Sequence, residues 1–410
     1  MTGPVTPTDL RTRFAAALST LYGSEVPAYT TLVEVSQEVN ADVIAAAGAE
    51  AERLGSIERV TAERHGAIRV GTPEELAQVA RVFGACGMAP VGFYDLREAT
   101  PPIPVVSTAF RPTDRAELAT NPFRVFTSVL VVDDRRFFDA STEAELREFL
   151  GARTLFPAEL LDLADRMERY GSLAAEEADR FLALATAAFE LSPEPVDRAW
   201  YQRLEAISSV AADIGGVAST HINHLTPRVL DIDALYERME ARGIEMIDRI
   251  QGPPRTAAGA PDVLLRQTSF RALSEPRRFR EPDGTVVDGE LRVRFGEVEQ
   301  RGVALTPQGR AVYDRDGVAG LPDTDDELDA ADLAYYVRDD EGRLLPLVYE
   351  DFLPRSAAGI FASNLTSEGR SDTTQQASLR GAAWMRDVLG RELHDPYALY
   401  AAERSEHGAH

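Results

Sequence analysis

Thr220-His221-Ile222-Asn223-His224-Leu225-Thr226-Pro227-Arg228 is the stretch whose reading decides the fold. Its β-branched Thr220, Ile222 and Thr226, with the break at Pro227, favour a strand over a helix. Two other stretches read the same way. Upstream lies Glu63-Arg64-His65-Gly66-Ala67-Ile68-Arg69, where Gly66 inside a helix would cost about 1 kcal/mol against alanine. Downstream lies Arg294-Phe295-Gly296-Glu297-Val298-Glu299-Gln300-Arg301. The chain has only six histidines, and the first two stretches hold three of them: His65, His221 and His224.

Each of these strands offers a metal ligand. Two imidazoles and a carboxylate from separate strands are the ingredients of a facial triad, the usual cage for non-haem Fe(II) with positions open to substrate and O2. A zinc hydrolase could use the same trio. His65 and Arg69 are an even number of residues apart, so on a strand they face one way. Their Cα atoms are then roughly 13 Å apart at ~3.3 Å per residue. That span suits a dicarboxylate with one end on a metal and the other on a guanidinium. A surface ion pair is the competing reading of the same two residues.

His221 and His224 are three apart and face opposite ways, so only one enters a cavity. His224 begins the better alternating run and is the expected ligand, which leaves His221 or Asn223 to a supporting or outer position. Glu297 and Glu299 share a face. Two inward carboxylates are costly unless one binds a cation, and a solvent-facing pair is the rival reading. Gln267, in Arg266-Gln267-Thr268-Ser269-Phe270, lies on a neighbouring strand within reach of substrate or a metal-bound water.

Outward from these strands the element order repeats. Residues 64–70 read as a strand, followed by a helix that Thr72-Pro73-Glu74-Glu75 starts. Strands follow at 89–96, 105–111 and 123–132. Residues 134–215 read as helices without a histidine, an insertion. The second run has a strand at 221–228, a helix at 231–241, and strands at 263–270, around 277–281 and at 290–300, with a tight turn at Pro282-Asp283-Gly284. Both runs are β-α-β-β-β. The expected fold is therefore α+β: two βαβββ modules form a half-open barrel around a metal. The divisions are 1–57 (helical cover), 58–133 (first module), 134–215 (helical insertion), 216–312 (second module) and 313–410 (C-terminal segment closing the site).

There are 67 acidic and 43 basic residues in the 410, a formal net charge of −24. That argues against nucleic acid or an anionic membrane as partner, since phosphate binding needs a basic face. One cysteine, Cys86, rules out an intrachain disulfide, thiolate zinc sites and iron–sulfur clusters. It follows an apolar helical run and reads as a buried core residue. Neither a signal core nor an apolar run long enough to span a bilayer is present, so the expected location is cytoplasmic, and Asn364-Leu365-Thr366 carries no meaning as a glycosylation sequon. The acid-rich 318–335 reads as a solvated loop and helix cap. The tail from about Thr373 reads as one or two helices with exposed histidines at 394, 407 and 410. No nucleotide-binding loop and no G-x-S-x-G elbow occur. Oligomeric state is not legible.

These stretches, with Leu265-Arg266-Gln267-Thr268-Ser269-Phe270 and Phe352-Leu353-Pro354-Arg355-Ser356-Ala357-Ala358-Gly359-Ile360-Phe361, resemble the 2-oxoadipate dioxygenase/decarboxylase family, a branch of the vicinal oxygen chelate superfamily. The resemblance covers nearly the whole chain. The strands at His224 and Glu297 are more loosely similar to the ligand strands of 4-hydroxyphenylpyruvate dioxygenase, where a Glu stands three places before a Gln-Arg pair. Here Glu297 precedes Gln300-Arg301 in that way, which favours Glu297 over Glu299. The resemblance implies Fe(II) held by His65, His224 and Glu297, with Arg69 binding the distal carboxylate and the Arg355-Ser356 turn closing over the same end of the substrate site. It implies a reaction in which a 2-oxo acid and O2 give a 2-hydroxy acid and CO2: 2-oxoadipate to 2-hydroxyglutarate, of the lysine-catabolic type. The chain looks shorter than typical relatives between Tyr313 and Leu344, and Arg355 stands where an apolar residue is expected, which bears on which acid is preferred. The rival readings are a lyase or isomerase on another 2-oxo acid in the same cage, and a non-catalytic binding protein.

Overall fold

The computed structural model describes residues 3–256, 260–292, 294–353, 360, 371–372, 374–375 and 377–408. Two helices open the chain, α1 (Pro7–Glu25) and α2 (Pro27–Ala47). Thr6 starts α1 through a capping box with Asp9. A short helix, α3 (Ile57–Ala62), leads into the first strand, β1 (Arg64–Val70). Helix α4 (Pro73–Ala85) begins on a Thr72–Glu75 capping box with Pro at its first position. Strands β2 (Ala89–Asp95), β3 (Val105–Arg111) and β4 (Arg124–Leu130) follow, with α5 (Arg115–Thr120) between the last two.

The strands pair in the order β2-β3-β4-β1, and only β1 and β4 run parallel. Alternation then sorts the side chains of β1. Ile68 and Val70 enter the main apolar cluster with α1, α2 and α4. His65, Ala67 and Arg69 occupy the other face, and all three are buried.

The inserted segment carries α6 (Ala140–Ala152), α7 (Ala158–Tyr170), α8 (Ala175–Ala188), a two-residue β5 (Val196–Asp197), α9 (Arg198–Glu205) and α10 (Ser209–Gly215). Beyond it come β6 (His224–Pro227), α11 (Ile232–Ala241), β7 (Leu265–Ser269), β8 (Glu275–Arg280), β9 (Val286–Leu291) and β10 (Glu297–Arg301). β6 pairs antiparallel with β1 and joins the two halves. Beyond β6 the ladder continues by a parallel bridge between Arg228 and Glu299, and β10 pairs with β7. β7 is bridged in turn by Gln251 at Gln267, and Met246 bridges Phe270 just past its end.

The second half departs from its expected layout. The strand at 277–281 is not part of this ladder: β8 and β9 form a hairpin that pairs with β5 of the insertion. The run at 290–300 is two strands separated at 292–296, and the strand-like partner of β7 is the segment 246–251, which pairs only through isolated bridges. A strand without continuous pairing leaves no strong alternating pattern to read. β6 is also shorter than expected, beginning at His224, so His221 lies outside the strand and the opposite-face argument does not govern it. Among the described residues no pairing joins β2 to the 246–251 segment, so the sheet does not close into a barrel.

Two more helices, α12 (Pro307–Asp316) and α13 (Asp325–Ala330), and the pair β11 (Tyr336–Arg338) and β12 (Leu344–Pro346) follow. α13 is the acid-rich region; Asp326 and Glu327 are exposed, and Thr324 caps it. The helices Ala382–Leu389 and Pro396–Gly408 end the chain. His394 is not free in solvent as expected: it is half-buried, and its backbone bonds to the edge of β2. No helix among the described residues is long and apolar enough to cross a membrane. Cys86 is buried, and burial pushes its thiol up to about 12, so it is no nucleophile.

Candidate metal centre

Strand register brings the three expected ligands together. Ala67 on β1 stands opposite His224 on β6, so the imidazoles of His65 and His224 are diagonal neighbours on one face. Their ring centroids are 5.2 Å apart and nearly perpendicular. β10 enters from the far side of β6. On its other side Gly296 lets the chain entering β10 pass close to Phe270 at the end of β7, where a Cβ would lie 1.9 Å from the ring. Glu297 then reaches both rings, with Oε1 3.7 Å from His65 Nε2 and Oε2 3.5 Å from His224 Nδ1. One ligand atom from each of the three lies within 4.8 Å of the others, and all three side chains are buried.

The donor set and its electrostatics fit a divalent cation. Burial lowers His65, with Glu299 opposing; burial and the neighbouring His65 lower His224 well below the usual imidazole range. Both rings are therefore neutral and carry lone pairs. Burial, then the charge of Glu299, raises Glu297 well above the usual carboxylate range. A buried carboxylate beside two neutral imidazoles lacks a compensating charge, which a bound cation supplies. Gln267, opposite Glu299 on β7, donates its amide to Glu297 Oε1.

Glu299 is in a different state. Burial alone would raise it, but Arg301 and His65 hold it at about 2. Arg301 Nε and Nη2 donate to it at 2.7 and 2.9 Å. Behind it lies a buried network the sequence did not announce. Arg124 donates to Glu63 at 2.7 Å and also to Glu350; Arg228 donates to Glu63 at 2.8 Å; Arg59 donates to Glu350. Burial is outweighed at Glu63 by these arginines, which keep its carboxyl well below its ordinary range. Removing one member of such a network leaves a buried charge uncompensated.

Arg69 shares the inward face with His65 but is not an open clamp. Its Nη1 donates to Asp213 of α10. Asn223 Nδ2 donates to the same carboxylate at 2.8 Å, and His221 Nε2 lies 3.2 Å from it. His221 is thus turned toward Asp213, in a supporting place. Although burial raises Asp213, His221 and Arg69 bring it below its ordinary range. The inserted helices thus bring a buried carboxylate against Arg69 and His221. A lone acid within the apolar run Val210-Ala211-Ala212-Asp213-Ile214 was the available signal.

Two aromatic rings cover the imidazoles. Phe352 meets His65 edge-on at 4.9 Å, and Phe295 stacks on His224 at 5.4 Å. Arg111 anchors the Phe352 segment through Asp351, at 3.0 and 3.3 Å. Arg355 and Ser356 lie outside the described residues, as does Asn364.

Fold and cluster define an α+β protein with a buried two-histidine, one-carboxylate cluster of the kind that can hold a metal ion. Comparison with known proteins narrows the class. A family model described as 2-oxoadipate dioxygenase/decarboxylase matches residues 14–364. The protein of that name from Mycobacterium tuberculosis is 58% identical over 407 residues, 97% of each chain. Its namesake from Pseudomonas putida is 39% identical over 452 aligned residues, 97% of this chain and 95% of that one. The crystal structure of hydroxyglutarate synthase from Pseudomonas putida in complex with 2-oxoadipate superposes with a TM-score of 0.85 at 36% identity, covering 98% and 97% of the two chains. A putative glyoxalase superfamily protein from Ralstonia eutropha shares the fold alone, with a TM-score of 0.55 at 21% identity over 73% of this chain and 85% of that one. The chain belongs to the 2-oxoadipate dioxygenase/decarboxylase family and is an enzyme of that class.

Proposed function

We propose that this chain is an Fe(II)-dependent dioxygenase/decarboxylase that converts 2-oxoadipate and O2 to 2-hydroxyglutarate and CO2, in a route of the lysine-degrading type. The atoms balance: the six-carbon 2-oxo acid loses its 1-carboxylate as CO2, and both oxygens of O2 end in 2-hydroxyglutarate, one in the carboxylate formed from the 2-oxo carbon and one in the hydroxyl. The observation that carries the reading is the buried meeting of His65, His224 and Glu297, together with an inward guanidinium on the same strand as His65. Iron held there would supply the redox chemistry that couples O2 to loss of the substrate's carboxylate.

The protein residues bind, orient and exclude. Arg69, anchored by Asp213, takes the distal carboxylate and fixes which carbon faces the ion. Gln267 steadies Glu297 and stands near the reacting end. Phe352 and Phe295 keep bulk water from the imidazoles. Arg355 and Ser356 complete the distal end in this reading. We also infer that the two halves are copies of one βαβββ unit: β2-β3-β4-β1 on one side and 246–251, β7, β10 and β6 on the other, with β8–β9 as an added hairpin, so that 58–133 and 216–312 form the half-open cavity.

The test is oxygen consumption by the anaerobically Fe(II)-loaded protein against a panel of 2-oxo acids. The expected result is uptake with 2-oxoadipate, matched by equal amounts of CO2 and 2-hydroxyglutarate, without added 2-oxoglutarate. Turnover of a 2-oxo acid without O2, supported equally by Zn(II) or Mn(II), would instead identify a lyase or isomerase.

A further inference from the structure

Glu299 is the second inward carboxylate of β10, and it takes no place among the three ligands. Its Oε2 lies 2.7 Å from Nδ1 of His65. Arg301 donates to both oxygens of Glu299, so the carboxylate is the acceptor in its hydrogen bonds and the proton shared with His65 belongs to the imidazole. The other ring nitrogen, Nε2, keeps its lone pair and is the one that faces Glu297, at 3.7 Å.

The carboxylate is itself fixed. Arg301 grips both of its oxygens, and Arg124 Nη1 adds a longer contact to Oε1 at 3.4 Å. Arg124 stands directly opposite His65 across the β1–β4 pair, so the guanidinium, the carboxylate and the imidazole approach from three strands. With His65 and the two arginines on its oxygens, Glu299 has no side left to offer an ion. Two residues back along the strand, Glu297 has no arginine hydrogen-bond partner among the described residues and takes one from Gln267 instead.

We propose that Glu299 is the positioning residue of the metal centre. It holds His65 in the tautomer protonated on Nδ1 and aims Nε2 at the ion, so metal affinity depends on a carboxylate that is not a ligand. This rests on the reading of the cluster as a metal centre. Carboxylates placed behind a ligating imidazole in this way fix its tautomer and raise its basicity, and their loss typically weakens metal binding by ~10- to 100-fold.

The experiment is an anaerobic Fe(II) titration of the full chain in competition with a chelator of known affinity, on the wild type and Glu299→Gln. The expected result is a loss of affinity of about 10- to 100-fold in a protein that keeps its circular dichroism. Glu299→Asp, which keeps the charge but shortens the reach, should fall between the two. A folded Glu299→Gln chain with wild-type affinity overturns the role of Glu299 alone. A wild type that binds no Fe(II) overturns the metal centre itself. Should Glu299→Gln fail to fold, nitrogen-15 NMR of histidine-labelled, metal-free wild type decides. A His65 ring, assigned by its loss in His65→Gln, should carry its proton on Nδ1. A ring protonated on Nε2 overturns the proposal.

Discussion

β1 and β10 each place two polar side chains on the inner face, and they use them differently. On β1 the two are four residues apart, His65 at the cluster and Arg69 beyond Ala67, roughly 13 Å along the strand. On β10 they are two apart, and both face His65: Glu297 lies 3.7 Å from its Nε2 and Glu299 2.7 Å from its Nδ1. β1 is paired along its length on one side and over four residues on the other, whereas β10 has one full partner and a bridge. On the proposed reading, spacing along a strand decides whether a second charge serves the substrate or the ligand.

The comparison breaks most sharply at the ligands themselves. His65→Ala and Glu297→Ala should each lower oxygen uptake by at least about 1,000-fold and abolish Fe(II) binding, with the circular dichroism of the metal-free chain unchanged. Retained turnover in either would separate that strand from the chemistry.

Next in size is the network behind them. Arg124→Met leaves Glu63, Glu299 and Glu350 short of a partner, and should cost about 3–5 kcal/mol, read as a lower urea midpoint. At the substrate end, Asp213→Asn should raise KM for 2-oxoadipate by about tenfold, the equivalent of one lost charged hydrogen bond, with kcat and iron content little changed. An equal fall in kcat would assign Asp213 to the metal end. Gln267→Leu should weaken Fe(II) binding by roughly three- to tenfold, the worth of a single hydrogen bond to Glu297.

The smallest effect is on acid stability. The carboxyls of Glu63 and Asp213 lie below their ordinary values when folded. Their contribution is present above about pH 4, the unfolded value, and is lost as pH falls toward the folded ones. The melting temperature of the metal-free chain should therefore fall below about pH 4, and less steeply in Asp213→Asn.

Much of the fold and the site is legible in the amino-acid order. Thr72-Pro73-Glu74-Glu75 marks α4, and alternation places His65 with Arg69 and Glu297 with Glu299. The spacing of Glu297 before Gln300-Arg301 singles out the ligand by resemblance. The 246–251 segment is not legible, because isolated bridges impose no period. Asp213 is not, because its partners are brought to it by packing of the inserted helices rather than by spacing. The arginines around Glu63 look in sequence like the many exposed ones, and only burial sets them apart.

The central claim is that His65, His224 and Glu297 hold one divalent ion. Anaerobic equilibrium dialysis against Fe(II) tests it most directly. The account predicts about one iron per wild-type chain, and none in His65→Ala, His224→Ala or Glu297→Ala. Iron bound equally by all four proteins, or by none, would contradict it.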